Sequence, residues 1–420
     1  MSFGVYSETA RLRRVLIHRP GREIDWMVPS LMDRLLFDDI LYGEDARWEH
    51  DIFRAVLEAA GVETLDPQDL LADVLAESEI RARALDDVAR SGIADDVLET
   101  LSAAEPRELA AHLVSGMRAV DELPGERLRH FYRLSPVPNY FFQRDPQVVM
   151  GDMVLRSSMA TDARRREPWL SSIVFEHHPA VSGWTERIRL DDEESAFRRQ
   201  PWIEGGDVLI PSSDVLMVGV SERTNRYGID RLARHLLGRD DGFRHLVVVE
   251  IPARRSYMHL DTVFTFIDEG ICLGYLPVVA PGGVEGGDVY RIDLGAPEVA
   301  YTLCDDLPSA LARVGVEVDE IIPCGSDDSL IDQQREQWTD GANAFALAPG
   351  VICLYRRNRR TAEGLARRGW TVIDGEEVAE GTVDPLAGGR TVITLPDNEL
   401  SRARGGPRCM TMPLLRDRFA

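Results

Sequence analysis

Residues 207–217 (DVLIPSSDVLM) place two short apolar runs on either side of a Pro-Ser-Ser turn, and a basic segment and a helical stretch through Leu237 follow. Turn residues between two such runs are typical of a β-hairpin. Residues 147–155 (QVVMGDMVL) and 344–354 (AFALAPGVICL) have the same hairpin pattern, and arginines follow each of them. An order of strand, turn, strand, basic segment and helix therefore recurs three times, which predicts an α/β fold built from a repeated unit.

Two looser copies extend the repeat to most of the chain. Residues 12–18 are followed by the helical stretch 48–60, and residues 259–275 by the helical stretch 307–314. Five such units can close into a ring that leaves no exposed sheet edge. We therefore predict an α/β fold in which five hairpin-and-helix units form a closed ring. Because identity between the copies is low, an ordinary open α/β sheet is the alternative.

Residues 66–132 differ from the rest of the chain. They are rich in Ala, Leu, Glu and Arg, their apolar residues have helical spacing, and breaks fall near Pro106 and Pro124. This pattern predicts four or five short helices with almost no strand. We expect an all-helical insert domain at 66–132 within an α/β domain formed by 1–65 and 133–420.

The composition limits the classes of partner. The 420-residue chain has a formal net charge of −23, which argues against nucleic-acid and membrane partners because these require a basic surface. The charge suits a cationic substrate, although a solvated acidic surface explains it equally well. The first eight residues contain no apolar signal segment, and no apolar run reaches membrane-spanning length. The five cysteines form neither a disulfide pattern nor a zinc motif. We expect a cytoplasmic protein.

Cys409 has a local sequence that no other cysteine of the chain shares. It lies in residues 401–413 (SRARGGPRCMTMP), where three arginines and two glycines precede it. Cationic neighbours favour the thiolate, which is the nucleophilic form, and glycines let the backbone approach a ligand closely. The alternative is a buried cysteine that packs as a small apolar residue. The other four cysteines lie in apolar runs, beside an acid or away from any cation, so the pattern predicts Cys409 as the nucleophile.

Three acids and one histidine occur in motifs that suit a site. Pro146 holds Asp145 at a tight corner, and Glu204 precedes two glycines that would permit close approach of a substrate. His259 and Asp261 are two residues apart at the start of a predicted strand. Alternation along that strand would point both side chains to one face, as a general acid or base with an orienting anion requires. Each motif alone also fits a structural turn.

Together these residues suit the hydrolysis of a guanidinium group. Carboxylates hold a planar cation bidentately, a thiolate can attack its central carbon, and a histidine can protonate the departing ammonia. A papain-like cysteine hydrolase needs only Cys, His and an orienting amide, and would leave the three acids unexplained.

Five motifs in chain order resemble those of the arginine deiminase family. They are residues 139–145 (NYFFQRD), 204–207 (EGGD), 259–264 (HLDTVF), 338–343 (WTDGAN) and 405–413 (GGPRCMTMP). The N-terminal segment 35–40 (LLFDDI) is similar to the family as well. The resemblance implies that 1–65 and 133–420 form a catalytic, five-bladed, pseudosymmetric α/β propeller and that 66–132 is its helical insert. It also implies an enzyme that hydrolyses L-arginine to L-citrulline and ammonia without metal or cofactor.

The resemblance also implies the catalytic roles. Cys409 would be the nucleophile that forms a covalent thiouronium intermediate, and His259 would be the general acid that later activates water. Asp145 and Asp261 would grip the guanidinium, while Glu204 would contact it and assist the proton transfers.

Five further residues would bind the substrate by the same resemblance. Asn139, Arg164 and Arg223 match positions that bind the carboxylate and backbone end of arginine. Phe142 would pack on the aliphatic stem, and Arg404 resembles a mobile gating arginine.

The chain departs from the family at two places. Ala403 stands where a glycine is usual, which bears on the mobility of that loop, and Thr361-Ala362 replaces a commoner Thr-Asn. An amidinotransferase or another guanidine hydrolase on the same fold is the nearer alternative function. A non-catalytic acidic binding protein is the more distant one. We also expect a homo-oligomer, either a dimer or a tetramer.

Overall fold

The computed structural model describes residues 3–119, 131–190, 200–239 and 242–419. Within these ranges the strands form six small sheets, and no single open sheet joins them. The open-sheet alternative is therefore wrong. The strands are β1 (Leu12–Ile17), β2 (Glu63–Leu65), β3 (Met117–Arg118), β4 (Tyr132–Leu134), β5 (Gln147–Met150), β6 (Met153–Arg156), β7 (Glu186–Ile188), β8 (Val208–Ser212), β9 (Val215–Val220), β10 (His245–Glu250), β11 (Phe264–Asp268), β12 (Ile271–Gly274), β13 (Val289–Asp293), β14 (Thr302–Cys304), β15 (Glu320–Pro323), β16 (Phe345–Ala348), β17 (Val351–Tyr355), β18 (Thr371–Asp374), β19 (Thr391–Leu395) and β20 (Thr411–Arg416).

Helices connect the strands and cover the sheets. They are α1 (Arg22–Asp25), α2 (Met32–Leu35), α3 (Gly43–Ala59), α4 (Pro67–Leu75), α5 (Ser78–Arg90), α6 (Asp95–Ala103), α7 (Pro106–Ser115), α8 (Arg166–His177), α9 (Arg226–Leu236), α10 (Leu276–Val279), α11 (Leu307–Ala312), α12 (Leu330–Trp338), α13 (Arg359–Arg367) and α14 (Gly375–Ala379). In the described ranges, none of them combines the length and the apolar character that a membrane span requires.

Five of the sheets share one pairing pattern. In each, a first strand pairs antiparallel with a second, and the second pairs parallel with a third. These trios are β5-β6-β7, β8-β9-β10, β11-β12-β15, β16-β17-β19 and β20-β1-β2. Parallel neighbours need a crossover connection, and a helix after the second strand supplies it in every trio. The predicted recurrence of hairpin and helix is confirmed.

The fifth trio joins the two ends of the chain. β20 pairs antiparallel with β1, so that Leu16 lies opposite Met412 and Ile17 opposite Thr411. In the looser copy that begins at residues 12–18, the antiparallel partner strand is therefore the C-terminal strand β20. Local sequence could not reveal this pairing, because the two strands are separated by almost the whole chain.

Helices α4 to α7 form the helical segment that the sequence predicts at 66–132, of which residues 120–130 lie outside the described ranges. Near the end of this segment, β3 pairs with β4. Leu71 of α4 belongs to the same hydrophobic core as Leu155 of β6 and Leu170 of α8. Full burial of a leucine contributes about 1.5–3 kcal/mol. The helical segment is thus packed onto a sheet unit through a shared core.

Candidate active site

Five chain corners, each just before the first strand of a trio, supply the buried polar groups of one site. They hold Asp145 before β5, Glu204 before β8, Asp261 before β11, Asn343 before β16 and Cys409 before β20. These positions are equivalent in the repeated pattern. The equivalence explains why residues from the whole length of the chain gather at one place.

Hydrogen bonds join each corner to the next and return to the first. The bonds run from Arg144 N to Cys409 O (3.0 Å), Gly205 N to Asp145 O (3.2 Å), Leu260 N to Asp207 Oδ1 (2.8 Å), Asn343 Nδ2 to Asp261 O (3.0 Å) and Cys409 N to Asn343 Oδ1 (3.1 Å). The corners are therefore fixed relative to one another by backbone groups, the Asn343 amide and the Asp207 carboxylate.

Two glycines allow neighbouring corners to touch. A Cβ on Gly205 would lie 2.0 Å from Arg144 O, and a Cβ on Gly206 would lie 2.6 Å from the His259 ring. The sequence pattern predicts that these glycines admit a substrate, whereas protein atoms of the adjacent corners fill that space. Their role is thus to bring the histidine beside Glu204.

His259 and Glu204 form a buried ion pair. His259 Nε2 lies 2.9 Å from Glu204 Oε2, and His259 Nδ1 lies 3.7 Å from Asp145 Oδ1. Burial opposes the charge of the imidazole, but Asp145 and Glu204 outweigh it and raise the pKa of His259 to about 9. Burial also opposes the charge of Glu204, but the hydrogen bond from His259 and the charge of Arg223 lower its pKa to about 2. Near neutral pH the site therefore holds an imidazolium that can donate a proton.

The backbone around His259 differs from the prediction. A short 3-10 turn at Leu260–Thr262 follows it, and β11 begins only after that turn. His259 and Asp261 are therefore not alternate residues of one strand. Both side chains still reach the site, but His259 bonds to Glu204 while Asp261 faces Cys409.

The thiol of Cys409 is buried among carboxylates. Its Sγ lies 3.7 and 4.0 Å from the two carboxylate oxygens of Asp261. Burial, followed by the charges of Asp261, Asp145 and Asp340, raises the pKa of Cys409 well above its ordinary value. The prediction that neighbouring arginines favour the thiolate is therefore wrong for this arrangement.

The arginines near Cys409 in sequence are directed at other partners. Arg408 Nη1 donates to Asp261 Oδ2 at 2.8 Å. The guanidinium carbon of Arg404 lies 3.4 Å from the centre of the Trp338 ring. Adjacency in the chain thus does not place a free cation beside the sulfur.

Arg164 reaches the site but is paired with protein carboxylates. Its Nη1 lies 2.7 Å from Asp145 Oδ2 and 3.7 Å from Glu204 Oε2. Its Nε and Nη2 donate to the two oxygens of Glu167 at 2.9 and 2.7 Å. The sequence analysis does not single out Glu167. Its place three residues after Arg164, in the first turn of α8, is the signal that could have identified it.

Arg223 is buried in the cavity wall with less complete pairing. Its Nε has no hydrogen-bond partner among the residues that the structure describes and lies 3.7 Å from Glu222 Oε1. Its Nη2 lies 3.8 Å from Met258 Sδ. A buried guanidinium with an unused donor is suited to bind a polar group of a ligand.

Asn139 and Phe142 approach the cavity from the segment before β5. Asn139 Nδ2 donates to Leu35 O at 2.9 Å. A Cβ on Gly405 would lie 2.2 Å from the Phe142 ring, so the glycine lets the loop before Cys409 pass directly over that ring.

The side chains enclose a cavity of about 20 Å³, which is room for about one water molecule. Glu204 and Asp261 are not among the lining residues, but they contact His259 and Cys409, which are. A second cavity of about 550 Å³ adjoins it, and Asp38 and Arg404 line both. Arg404 and Asp38 therefore stand in the wall of both an inner cavity and an outer one. The predicted site residues that line the inner cavity are Asn139, Phe142, Asp145, Arg164, Arg223, His259, Arg404 and Cys409.

Asn343 belongs to the site although the sequence analysis gives it no role. Its Oδ1 accepts hydrogen bonds from the backbone N–H groups of Arg408 and Cys409, each at 3.1 Å. The amide thereby holds the backbone of the candidate nucleophile. The available signal is its place in the motif 338–343, at a corner before an apolar strand.

Asp145, Glu204 and His259 are the one group in the described ranges that brings three possible metal-ligand atoms within 4.8 Å of one another. The guanidinium of Arg164 lies 2.7 Å from Asp145. A metal ion would have to share these ligands with that positive charge, so the residues do not fit a metal site well.

The chain is similar to known proteins over nearly its whole length. A sequence model described as arginine deiminase matches residues 33–416. An arginine deiminase of Clostridium perfringens (strain SM101 / Type A) is 35% identical over 448 residues, covering 99% of this chain and 98% of the relative. An arginine deiminase of Latilactobacillus sakei is 34% identical over 435 residues and covers 98% of each chain.

Solved structures with a similar fold are more distant in sequence. SxtG, an amidinotransferase from Microseira wollei in the saxitoxin biosynthetic pathway, has a TM-score of 0.53 at 14% identity and covers 99% of this chain and 98% of that chain. AgrE in a ternary complex with ornithine and NAD+ has a TM-score of 0.50 at 15% identity, covering 97% of this chain and 40% of that chain. Identities this low show a shared fold alone.

Proposed function

This chain belongs to the arginine deiminase family, and we propose that it hydrolyses the guanidinium group of free L-arginine to L-citrulline and ammonia. One observation supports this most strongly. A buried thiol, a His259–Glu204 ion pair and two further carboxylates surround one cavity. A non-catalytic binding protein would have no use for a nucleophile beside a proton donor.

Asp145 and Asp261 would hold the guanidinium of the substrate. The protein already occupies one oxygen of each carboxylate, since Gly206 N donates to Asp145 Oδ1 at 3.1 Å and Arg408 Nη1 to Asp261 Oδ2 at 2.8 Å. The remaining oxygens can accept from a planar cation. Arg164 Nη1 is bonded to the second oxygen of Asp145, so Arg164 would yield this contact to the substrate.

Substrate binding would itself favour the nucleophile. The carboxylates around Cys409 hold the pKa of its thiol high, and a bound guanidinium would offset their charge beside Sγ. The thiol would lose its proton to solvent as the cation enters. The reactive thiolate would then form only when a substrate is present.

The chemistry would proceed in two halves. The Cys409 thiolate attacks the central carbon, His259 protonates one amino group, and the C–N bond breaks to release ammonia and leave a thiouronium on the sulfur. The neutral His259 then takes a proton from water as hydroxide adds to the same carbon. The C–S bond breaks, the thiolate leaves, and the product loses a proton to become citrulline. Glu204 stabilises the imidazolium in both halves.

The other end of the substrate would lie against Arg223, Asn139 and Phe142. The unused donor of Arg223 could pair with the α-carboxylate, and the Asn139 amide could bond to the backbone end. Phe142 would pack on the aliphatic stem. After Arg164 yields Asp145 to the guanidinium, its freed Nη1 would turn toward the α-carboxylate while Nε and Nη2 keep their pair with Glu167.

Entry of arginine requires the inner cavity to open, because about 20 Å³ cannot hold it. Arg404 stands in the wall of both the inner and the outer cavity and has the left-handed backbone angle φ 64°. We propose that Arg404 and its loop move aside to admit the substrate. Ala403, buried beside it in place of a glycine, would restrict that motion.

We further propose that the five trios form a closed propeller around the site. The shared pairing pattern, the β1–β20 pairing of the chain ends and the circuit of hydrogen bonds between corners support it. Residues 66–132 would be a helical insert domain on a catalytic propeller of 1–65 and 133–420. The protein would act in the cytoplasm as a dimer or tetramer.

The test is to measure citrulline and ammonia released from arginine, agmatine and methylated arginines in parallel. We expect rapid release from arginine and far slower release from the others. A second assay supplies an amine acceptor and looks for its amidination, as an amidinotransferase would produce. Amidinated acceptor without citrulline would overturn the proposal in favour of that alternative.

A further inference from the structure

Arg408, the residue before the candidate nucleophile, is the largest of the fully buried side chains described. Its guanidinium makes four hydrogen bonds, which run from Nη1 to Asp261 Oδ2 (2.8 Å), from Nε to Glu8 Oε2 (3.1 Å), from Nη2 to Glu8 Oε1 (3.1 Å) and from Nη2 to Val208 O (2.9 Å). Arg408 therefore links the N-terminal segment to the carboxylate that faces the thiol.

Glu8 is held firmly at the far end of this link. Its two oxygens meet the guanidinium of Arg408 as a fork, and Oε1 also accepts from Ile210 N at 3.0 Å. Burial opposes the charge of Glu8, but Arg408 and Arg144 outweigh it and lower its pKa to about 2. Glu8 is therefore an anion at every pH at which the enzyme would work.

Arg144 adds a second buried cation. Its Nη2 has no hydrogen-bond partner within the described ranges. Burial, together with the charge of Arg408, lowers the pKa of Arg144 to about 9. Glu8 and Asp261 are thus the anions that offset two adjacent arginines.

We propose that Glu8, acting through Arg408, is a positioning residue for Asp261. The Glu8–Arg408 pair fixes one oxygen of Asp261 and leaves the carboxylate oriented toward the thiol and the substrate. The negative charge of Glu8 also offsets the positive charges of Arg408 and Arg144, so that the negative charge of Asp261 remains available to the guanidinium of the substrate. This inference rests on the proposed function, because that function assigns Asp261 to the substrate.

Loss of the Glu8 charge should change the thiol as well as the substrate site. With Glu8 neutral, the two arginines would be less balanced, which stabilises a thiolate and repels a guanidinium. The titratable and charged groups around Cys409 and this link are Glu8, Asp38, Asp145, Glu204, Asp261, Asp340, His259, Tyr355, Arg144, Arg164, Arg223, Arg404, Arg408 and Arg416.

The test compares Glu8→Gln with Glu23→Gln. Glu23 is the matched control, because it is also a buried glutamate and lies 3.5 Å from His18, in a cluster that does not include Cys409. For each full-length variant we would measure kcat/KM for arginine. We would also follow the pH dependence of Cys409 alkylation by iodoacetamide, read from the Cys409 peptide by mass spectrometry.

We expect Glu8→Gln to lower kcat/KM by about 10- to 100-fold, as loss of supporting residues does at other sites. Its alkylation midpoint should move to lower pH by on the order of one unit. Glu23→Gln should leave the midpoint in place and change kcat/KM by less than about threefold. An unmoved midpoint with the same kcat/KM in both variants would overturn the proposal.

Arg408→Lys separates the effect of hydrogen-bond geometry from that of charge at this position. It can test the proposal by itself if Glu8→Gln does not fold. A lysine keeps the positive charge but cannot form the fork. We expect kcat/KM to fall by about 10-fold or more while the alkylation midpoint stays near that of the wild type. Wild-type kcat/KM in Arg408→Lys would contradict the positioning role. Absence of citrulline from the wild type would instead remove the proposed function, and the alkylation shift would still test Glu8.

Discussion

Two buried histidines in this protein each face two carboxylates, yet only one of the two lines a cavity together with a candidate nucleophile. His18 Nδ1 is 2.9 Å from Asp66, and its Nε2 is 3.5 Å from Glu23. His259 has the corresponding contact of 2.9 Å with Glu204. In both clusters burial opposes the imidazolium and the carboxylates outweigh it, so the pKa of His18 is raised to about 10 and that of His259 to about 9.

The surroundings of the two clusters differ. Asp66 also accepts from Gln68 N at 2.8 Å and caps α4, so the His18 cluster ties β1 to the helical segment. A cavity of about 860 Å³ adjoins it, so neither a cavity nor a raised pKa distinguishes a chemical site from a structural one here. The distinguishing feature is the thiol of Cys409, which the convergence of five corners places in the lining of the same cavity as the second histidine.

Removal of that feature should have the largest effect on activity. We expect Cys409→Ser to lower kcat by roughly 10³-fold or more, because a hydroxyl is a far poorer nucleophile toward a guanidinium. Isothermal titration should still detect arginine binding. Cys353→Ser, in the buried strand β17, is the matched control and should lose stability but keep its turnover. Substantial activity in the Cys409 variant would remove the covalent mechanism.

Neutralising a carboxylate should have the next largest effect on activity, and only in the cluster around His259. Asp145→Asn and Asp261→Asn should each lose about 2–5 kcal/mol of transition-state stabilisation, because a neutral amide does not pair with a buried cation as a carboxylate does. Asp66→Asn, in the His18 cluster, should lower the melting temperature and leave kcat/KM nearly unchanged. A site variant that retains activity within a few-fold of the wild type would show that its carboxylate does not hold the substrate.

Substrate specificity should report on Arg223. Agmatine lacks the α-carboxylate of arginine and would leave the buried guanidinium of Arg223 unpaired. Its kcat/KM should therefore be lower than that of arginine, by an amount that corresponds to several kcal/mol of transition-state stabilisation. Arg223→Ala should weaken arginine turnover and narrow the ratio between the two substrates. Equal losses on both substrates would place Arg223 in a structural role.

The smallest effect on turnover should come from the His18 cluster. Since its folded pKa of about 10 lies above the ordinary value, His18 contributes stability fully below about pH 6.5, and this contribution is lost as the pH rises toward 10. The wild type should therefore lose a few kcal/mol of unfolding free energy relative to His18→Gln over that range. Chemical denaturation at several pH values would measure it, and kcat of the variant should stay within about threefold. Parallel stability curves for the two proteins would contradict the charge assigned to His18.

The sequence predicted those features that depend on residues close together along the chain. Short apolar runs with turns between them predicted three hairpin units, and the motifs contain Asn139, Phe142, Asp145, His259 and Cys409, which line the cavity. What it could not supply was long-range pairing. The strand opposite β1 comes from the other end of the chain, and the partner of Arg408 is Glu8, which is 400 residues away.

Charge near the thiol was misjudged for the same reason. A run of arginines before Cys409 indicates a cationic environment only if their side chains point at the sulfur. In the folded protein Arg408 bonds to two carboxylates and Arg404 stacks on Trp338. The group that lies next to the sulfur is Asp261, which belongs to another corner. Side-chain direction at a corner depends on tertiary contacts, which local sequence does not contain.

The covalent intermediate on Cys409 offers the most direct test of the central claim. Wild-type protein turning over arginine would be quenched with acid, digested and examined by mass spectrometry. We predict an adduct with the mass of arginine less ammonia on the Cys409 peptide, absent without substrate and absent from Cys409→Ser. An adduct on the Cys324 peptide, or citrulline formation with no adduct on any cysteine, would contradict the account.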